Sequence, residues 1–251
     1  MNRIFSTFTG VAICLNAFPA VSEPPTGTFD IPYLSKYVWR GLNLVDAGVL
    51  QPSLTFESKG YTFQVWTNIE LTNENFYPGF GSGEGKLTEI DISFQYNWNC
   101  GQIALSAGFI HYRFPNTGFE PTTEVFVSAG FDGVIAPTLI VYQDVDQTKG
   151  AYANFSLSHN LPTGLKIGQE ESELEISTGI GYCSKRNSLF YYGVNRHAAA
   201  DWTLNVALPI SFNGWTLTPT ISYSHLIDGE IGAFATRRSN LWFSLGASIG
   251  F

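Results

Sequence analysis

The stretch Ser239-Asn-Leu-Trp-Phe-Ser-Leu-Gly-Ala-Ser-Ile-Gly-Phe251 decides the fold. From Leu241 its odd positions are Leu241, Phe243, Leu245, Ala247, Ile249 and Phe251, and its even positions from Ser244 are Ser244, Gly246, Ser248 and Gly250. A period of two makes one face apolar and the other polar or small, so the segment is a β-strand. The terminal strand of a soluble sandwich has the same period, and the rest of the chain must separate the two.

Eleven further alternating segments precede it. Phe29, Ile31, Tyr33, Tyr37 and Trp39 alternate with Asp30, Lys36 and Arg40, which predicts one first strand running through Arg40. Val49–Ser58 and Tyr61–Leu71 flank Ser58-Lys59-Gly60 and predict a hairpin. The cleanest segment sets Ile90, Ile92, Phe94, Tyr96 and Trp98 against Glu89, Asp91, Ser93, Gln95 and Asn97, and it returns through Asn99-Cys100-Gly101 to Ile103–Phe109. Glu124–Phe131, Pro137–Asp144, Tyr152–His159, Glu173–Ile180, Leu204–Ile210 and Trp215–Tyr223 follow, the last two joined by Asn213-Gly214. The short connections fall on one side of this array and the longer ones, including Cys183–Asp201 and Ser224–Arg238, on the other. Outer-membrane barrels have that asymmetry, with the short turns periplasmic. Asn160–Ser172 is the exception, a long connection on the short-turn side that reads as a short helix or a flexible tab.

The segments as bounded run from seven to thirteen residues, longer than the five or six usual in globular proteins, and the longer ones match a tilted membrane crossing. The expected fold is therefore all-β, a transmembrane antiparallel up-and-down β-barrel of 12 strands. Phe251 is then read as the C-terminal insertion signal, which in this setting resembles that of bacterial outer-membrane barrels. The remainder of the chain contains no apolar run of about 20 residues that would make a transmembrane helix.

The chain's address agrees. Met1–Ser22 carries Arg3 as its only charge, an apolar run from about Val11 to Val21, and the small residues Ala20-Val21-Ser22, the layout of a secretory signal peptide. Residues 1–22 are expected to be removed, leaving 23–251 as a single barrel domain in the bacterial outer membrane. Ile13 before Cys14 argues against a lipoprotein site. The formal charge of −8 becomes one unit more negative without Arg3, which argues against nucleic acid as a partner. Expected partners are outer-membrane lipid, the barrel-assembly machinery during insertion, and small solutes; the oligomeric state is left open. Cys100 and Cys183 fall at opposite ends of the barrel and should not pair, and no CxxC or His/Cys cluster suggests a metal. No cofactor is expected.

Ser35-Lys-Tyr-Val-Trp-Arg-Gly41, followed by Gln51-Pro-Ser-Leu54, resembles the first two strands of the TorF-type porin family. Pro137–Asp146 followed by Gly150-Ala-Tyr152 is similar to a mid-barrel hairpin of that family. The resemblance spans the mature chain and implies an outer-membrane barrel of poorly defined substrate, with no catalytic residues.

The inward phase supplies the candidate site. Lys36, Arg40, Glu57, Glu70, Glu89, Asp91, Glu124, Asp144 and Glu175 should line the lumen, where carboxylates concentrate cations and repel anions. Arg40, on the first strand, should face several of these acids in a ladder across the lumen. Trp66 and Trp242 also fall in the inward phase and are candidates for a constriction. Trp39, Tyr96, Trp98, Trp202, Trp215 and Tyr223 lie at segment ends, where amphipathic rings settle at the headgroup level. Together these predict a passive channel for small solutes, weakly cation-selective or taking neutral ones.

The alternatives are a structural or adhesive barrel whose loops are the active surface, and a lipid-modifying enzyme. For the enzyme, Ser224-His225 is an adjacent Ser/His pair, but neighbours on a strand point to opposite faces, so they cannot form a dyad.

Overall fold

The computed structural model describes residues 24–73, 84–167 and 170–251; the expected signal segment Met1–Ser22 and most of the Gly-rich stretch after Thr72 lie outside them. In chain order the strands are β1 (Thr26–Asp30), β2 (Tyr33–Leu34), β3 (Tyr37–Trp39), β4 (Leu42–Val45), β5 (Val49–Leu50), β6 (Ser53–Ser58), β7 (Tyr61–Glu70), β8 (Leu87–Cys100) and β9 (Ile103–Arg113). They continue as β10 (Thr122–Phe131), β11 (Ala136–Asp144), β12 (Ala151–Ile167), β13 (Glu170–Cys183), β14 (Ala198–Ala207), β15 (Ile210–Phe212), β16 (Trp215–Leu226) and β17 (Ser239–Gly250). Two short helices, α1 (Lys185–Tyr192) and α2 (Gly229–Phe234), interrupt the long connections before β14 and β17.

β1 with β2, β5 with β6, and β14 with β15 each make one stave, so the wall is a closed antiparallel barrel of 12 strands. Closure is made by β17, which pairs with β16 on one side and with β1 and β2 on the other. The seam is tight at its end. The Gly27 N–H donates to the Phe251 carbonyl at 2.8 Å, and the Phe251 N–H donates back to the Gly27 carbonyl at 2.9 Å. The Phe251 ring lies where a Cβ on residue 27 would be, so a side chain there would have to push the ring aside, and Phe56 meets the same ring edge-on at 6.2 Å.

The predicted alternation holds around the wall. Phe29, Phe63, Phe94, Phe109, Val127, Phe155, Ile180, Ile221 and Phe243 all point outward and are exposed. A continuous apolar surface on a closed barrel has no partner within the chain, and exposure on that scale marks a lipid-facing wall. The barrel is therefore transmembrane. Cys100 and Cys183 are both free, the first exposed at the end of β8 and the second buried at the end of β13, at opposite rims.

Two expectations are corrected. The described residues of Asn160–Ser172 are neither helix nor tab: β12 and β13 stay paired out to Ile167 and Glu170, with a register shift between Pro162 and Lys166. Side chains tie the two strands beyond the rim, the Asn160 amide donating to Glu173 at 3.1 Å and the Thr163 hydroxyl to the Ser172 carbonyl at 2.5 Å. The first strand, moreover, does not continue to Arg40. It leaves the wall after Leu34, and residues 35–48 turn inward, where β3 and β4 form a separate two-stranded sheet. Trp39 pairs with Leu42 around Arg40-Gly41, both of positive φ (46° and 81°), the two-residue turn whose twist suits a tight hairpin.

The reason for the inward turn is readable in burial. Tyr37, Val38, Leu42, Leu44 and Val45 are all buried, on both faces of the hairpin. A wall strand offers lipid only to alternate residues, whereas a hairpin inside the barrel covers both faces. Tyr37 and Trp39 are therefore lumen residues.

Candidate functional site

The inner hairpin occupies the half of the lumen toward the long loops, and its tip carries Arg40. The guanidinium is clamped by Glu124 of β10: Nη1 donates to Oε1 at 2.9 Å and Nη2 to Oε2 at 2.6 Å. This is the bidentate geometry that makes arginine–carboxylate pairs directional as well as strong. The Tyr112 hydroxyl donates to Oε2 of the same carboxylate at 2.9 Å. Three rings box the cation in, with the guanidinium carbon 4.5 Å from the Trp39 centroid, 4.9 Å from Tyr142 and 4.2 Å from Tyr152. The Tyr192 hydroxyl of α1 donates to the Arg40 carbonyl at 2.9 Å, tying the mouth helix to the hairpin tip.

A second anchor sits nearer the wall, where the Tyr37 hydroxyl donates to Glu89 at 2.8 Å and the Tyr37 ring meets Trp66 at 5.9 Å. At the hairpin's base Asp46 receives Lys36 at 2.6 Å, Arg237 at 2.7 Å and the Asn43 amide at 2.8 Å. Burial alone would raise the Asp46 carboxyl, but the hydrogen bonds from Lys36 and Asn43 and the charges of Lys36 and Arg237 hold it below the ordinary value of 3.8. A depressed carboxylate contributes stability above its free value and loses it as pH falls through the bound one. Acidification below about pH 4 is thus expected to loosen the hairpin base. Protease cleavage of the hairpin measured across an acid titration should rise in the native chain, and the part due to Asp46 should vanish in Asp46→Asn.

The structure brings together some predicted residues and separates others. Glu70, Glu89, Asp91, Glu124 and Asp144 are all buried on the inner face, and Trp242 is buried there too. Asp144, however, does not present a free carboxylate to the lumen. Its Oδ1 accepts the backbone N–H groups of Asp146, Thr148 and Lys149, and its Oδ2 accepts the Thr122 hydroxyl, so it holds the β11–β12 loop. Glu57 and Glu175 lie toward the short-turn end, far along the lumen from the clamp. Arg40 and Lys36 stand on the inner hairpin rather than on a wall strand, and Arg40 makes one two-pronged pair rather than a ladder.

Among the predicted girdle residues, Tyr96, Trp98 and Trp215 are exposed on the outer face near the short-turn rim, where Tyr96 stacks on Trp98 at 5.9 Å. Trp202 and Tyr223 pair edge-on at 5.5 Å near the opposite rim. Trp39 does not belong to the girdle: it packs on Tyr191 at 4.9 Å and on Arg40 inside the barrel, because its strand has left the wall.

Sequence reasoning missed Tyr112, Tyr142, Tyr152, Tyr192 and Asp201. Asp201 accepts the Tyr152 hydroxyl at 2.9 Å beside Gly181, where any Cβ would overlap both groups. Inward phase could have found Asp201, since its neighbour Trp202 faces out. The outer wall also holds a pair that adjacency along one strand hides, with His225 Nδ1 lying 2.8 Å from Ser239 Oγ across the β16–β17 ladder.

No family model matches the chain, and no curated protein matches it in sequence. Solved structures do. The KdgM porin superposes with a TM-score of 0.53 at 9% identity, over 89% of this chain and 99% of that one. The chain has the fold of a twelve-stranded porin barrel. The NanC porin superposes with a TM-score of 0.52 at 10% identity, over 89% of this chain and 98% of that one.

Proposed function

We propose that the chain is an outer-membrane channel for passive diffusion of small solutes, of the porin type its TorF-like motifs suggest, with the inner hairpin as its constriction. The observation that carries this reading is the pairing of an apolar outer belt with a polar inner face narrowed by a hairpin whose tip is held by the Arg40–Glu124 clamp. The short-turn rim is then periplasmic, and α1 and α2 cover the extracellular mouth.

Acid outweighs base on the inner face. Glu124 is neutralised by Arg40 and Glu89 is engaged by Tyr37, but one oxygen of the buried Asp91 carboxylate has no hydrogen-bond partner. A residual negative field in a low-dielectric tube favours cations, so the channel is weakly cation-selective or passes neutral solutes. Reversal potentials of the purified protein in a salt gradient should have the cation sign and move toward zero in Glu89→Gln/Asp91→Asn. An anion preference at neutral pH rejects the selectivity.

The Ser239–His225 pair favours a second reading, a lipid-modifying enzyme on the outer wall. A serine nucleophile also needs its base oriented by a third group and donors for the oxyanion. Lipid hydrolysis that disappears in Ser239→Ala would establish this reading; the channel reading expects no hydrolysis from either chain.

A further inference from the structure

The two sides of the lumen differ in chemistry. The carboxylates that engage the inner hairpin stand on β8 and β10, whereas the wall made by β16 and β17 is lined by neutral groups, with the one acid of the adjoining β14, Asp201, held toward the long-loop end by the Tyr152 hydroxyl. Across its ladders Ser224 stands opposite Asn240, Ser222 lies between Asn205 and Trp242, and Thr220 stands opposite Ser244. Thr220, Ser222, Ser224, Asn240 and Ser244 are each at most 4% exposed. Yet the four hydroxyls and both amide atoms of Asn240 lack a hydrogen-bond partner, as does the Asn205 Oδ1.

Buried polar groups are nearly always satisfied, because an unmade hydrogen bond inside a protein forfeits the hydration it replaced. A run of them on one face therefore marks a surface whose partners arrive from outside the chain. The donor set narrows the partner. Hydroxyls donate and accept, the Asn240 amide does both, and these positions carry no charge, so an ionic solute finds no counter-charge there. Trp242 in the middle adds an aromatic body of the kind that packs against C–H surfaces.

We infer that this wall is a binding face for neutral polyhydroxylated solutes, polyols and uncharged sugars, which is uncovered when the inner hairpin leaves its clamp. The inference rests on the channel reading for its access route and deepens it by naming the solute class. These groups are buried with the hairpin docked; with the hairpin released, vicinal hydroxyls of a sugar would meet alternating donors and acceptors along the strands.

The test is saturation-transfer NMR on the full chain in detergent, titrated with sorbitol, sucrose and raffinose, with gluconate as the charged control. Neutral compounds should saturate. Arg40→Ala should bind about tenfold more tightly than the native chain, since a larger fraction is uncovered. Asn240→Leu in the Arg40→Ala background should weaken binding about tenfold. Ser222→Val in that background serves the same purpose if Asn240→Leu does not fold.

Equal binding of gluconate, no saturation by any neutral compound in either chain, or unchanged affinity in the folded wall variants overturns the inference. Bilayer recordings separate it from the channel reading. Conductance with no saturable sugar binding leaves the channel and removes the site. Saturable binding that depends on Asn240, without conductance, keeps the site and removes the channel.

Discussion

Replacing Arg40 by alanine should open the lumen. The native guanidinium fills a box of three rings and satisfies both oxygens of a carboxylate that is 1% exposed. Removing one partner of such a pair leaves the other charge buried alone, which costs about 3–5 kcal/mol against the docked arrangement. The barrel need not unfold to relieve that cost, because its ladders do not depend on the inner hairpin; releasing the hairpin lets water reach Glu124. Single-channel conductance of Arg40→Ala should therefore rise severalfold, and the Arg40-Gly41 turn should become open to protease in membranes. Arg40→Lys keeps the charge but not the two-pronged geometry or the flat stacking surface, and should fall between the two. Arg40→Ala/Glu124→Ala should dock more stably than Arg40→Ala alone, since no orphaned charge remains. A conductance for Arg40→Ala equal to the native value would show that the hairpin does not set the constriction.

Ile221→Arg should prevent stable insertion. Ile221 is 61% exposed in the middle of β16, with Val206 and Phe243 as its ladder neighbours. In water this substitution would be close to neutral, but an arginine on the hydrocarbon side at mid-depth costs about 2–4 kcal/mol. Folding into lipid vesicles, followed by the heat-dependent shift of barrel mobility on gels, should show a large loss of folded protein. Ser248→Arg is the matched control, since residue 248 faces the lumen and lies opposite Asp30 and Thr216. It should insert normally. Equal tolerance of both substitutions would mean that the outer face does not meet hydrocarbon.

The wall was legible because each of its rules acts within a few residues. Alternation in Ile90–Trp98 places Glu89 and Asp91 inside and Phe94 and Tyr96 outside without knowledge of any distant contact, and the structure agrees at each of these positions. The same rule placed Trp66 and Trp242 inward and Trp98 and Trp215 outward. It failed at Tyr37 and Trp39, where the alternation of the first strand was extended through a segment that had left the wall. A signal was present. Val38, Leu42, Leu44 and Val45 put apolar residues on both faces around Arg40-Gly41, a pattern that a half-lipid, half-water wall strand does not tolerate.

The amino-acid order by itself determined that the chain forms long two-faced strands, how many there are, which side of each is greasy, and which rim carries the short turns. These follow from the period of the backbone and the length of each run. Only the tertiary structure decided what lies inside. Tyr37 meets Glu89 from 52 positions away, Arg40 meets Glu124 from 84, and Tyr192 reaches the Arg40 carbonyl from 152. Such pairs have no period and no spacing rule, because closure of the barrel, rather than anything local to the strands, brings them within bonding distance.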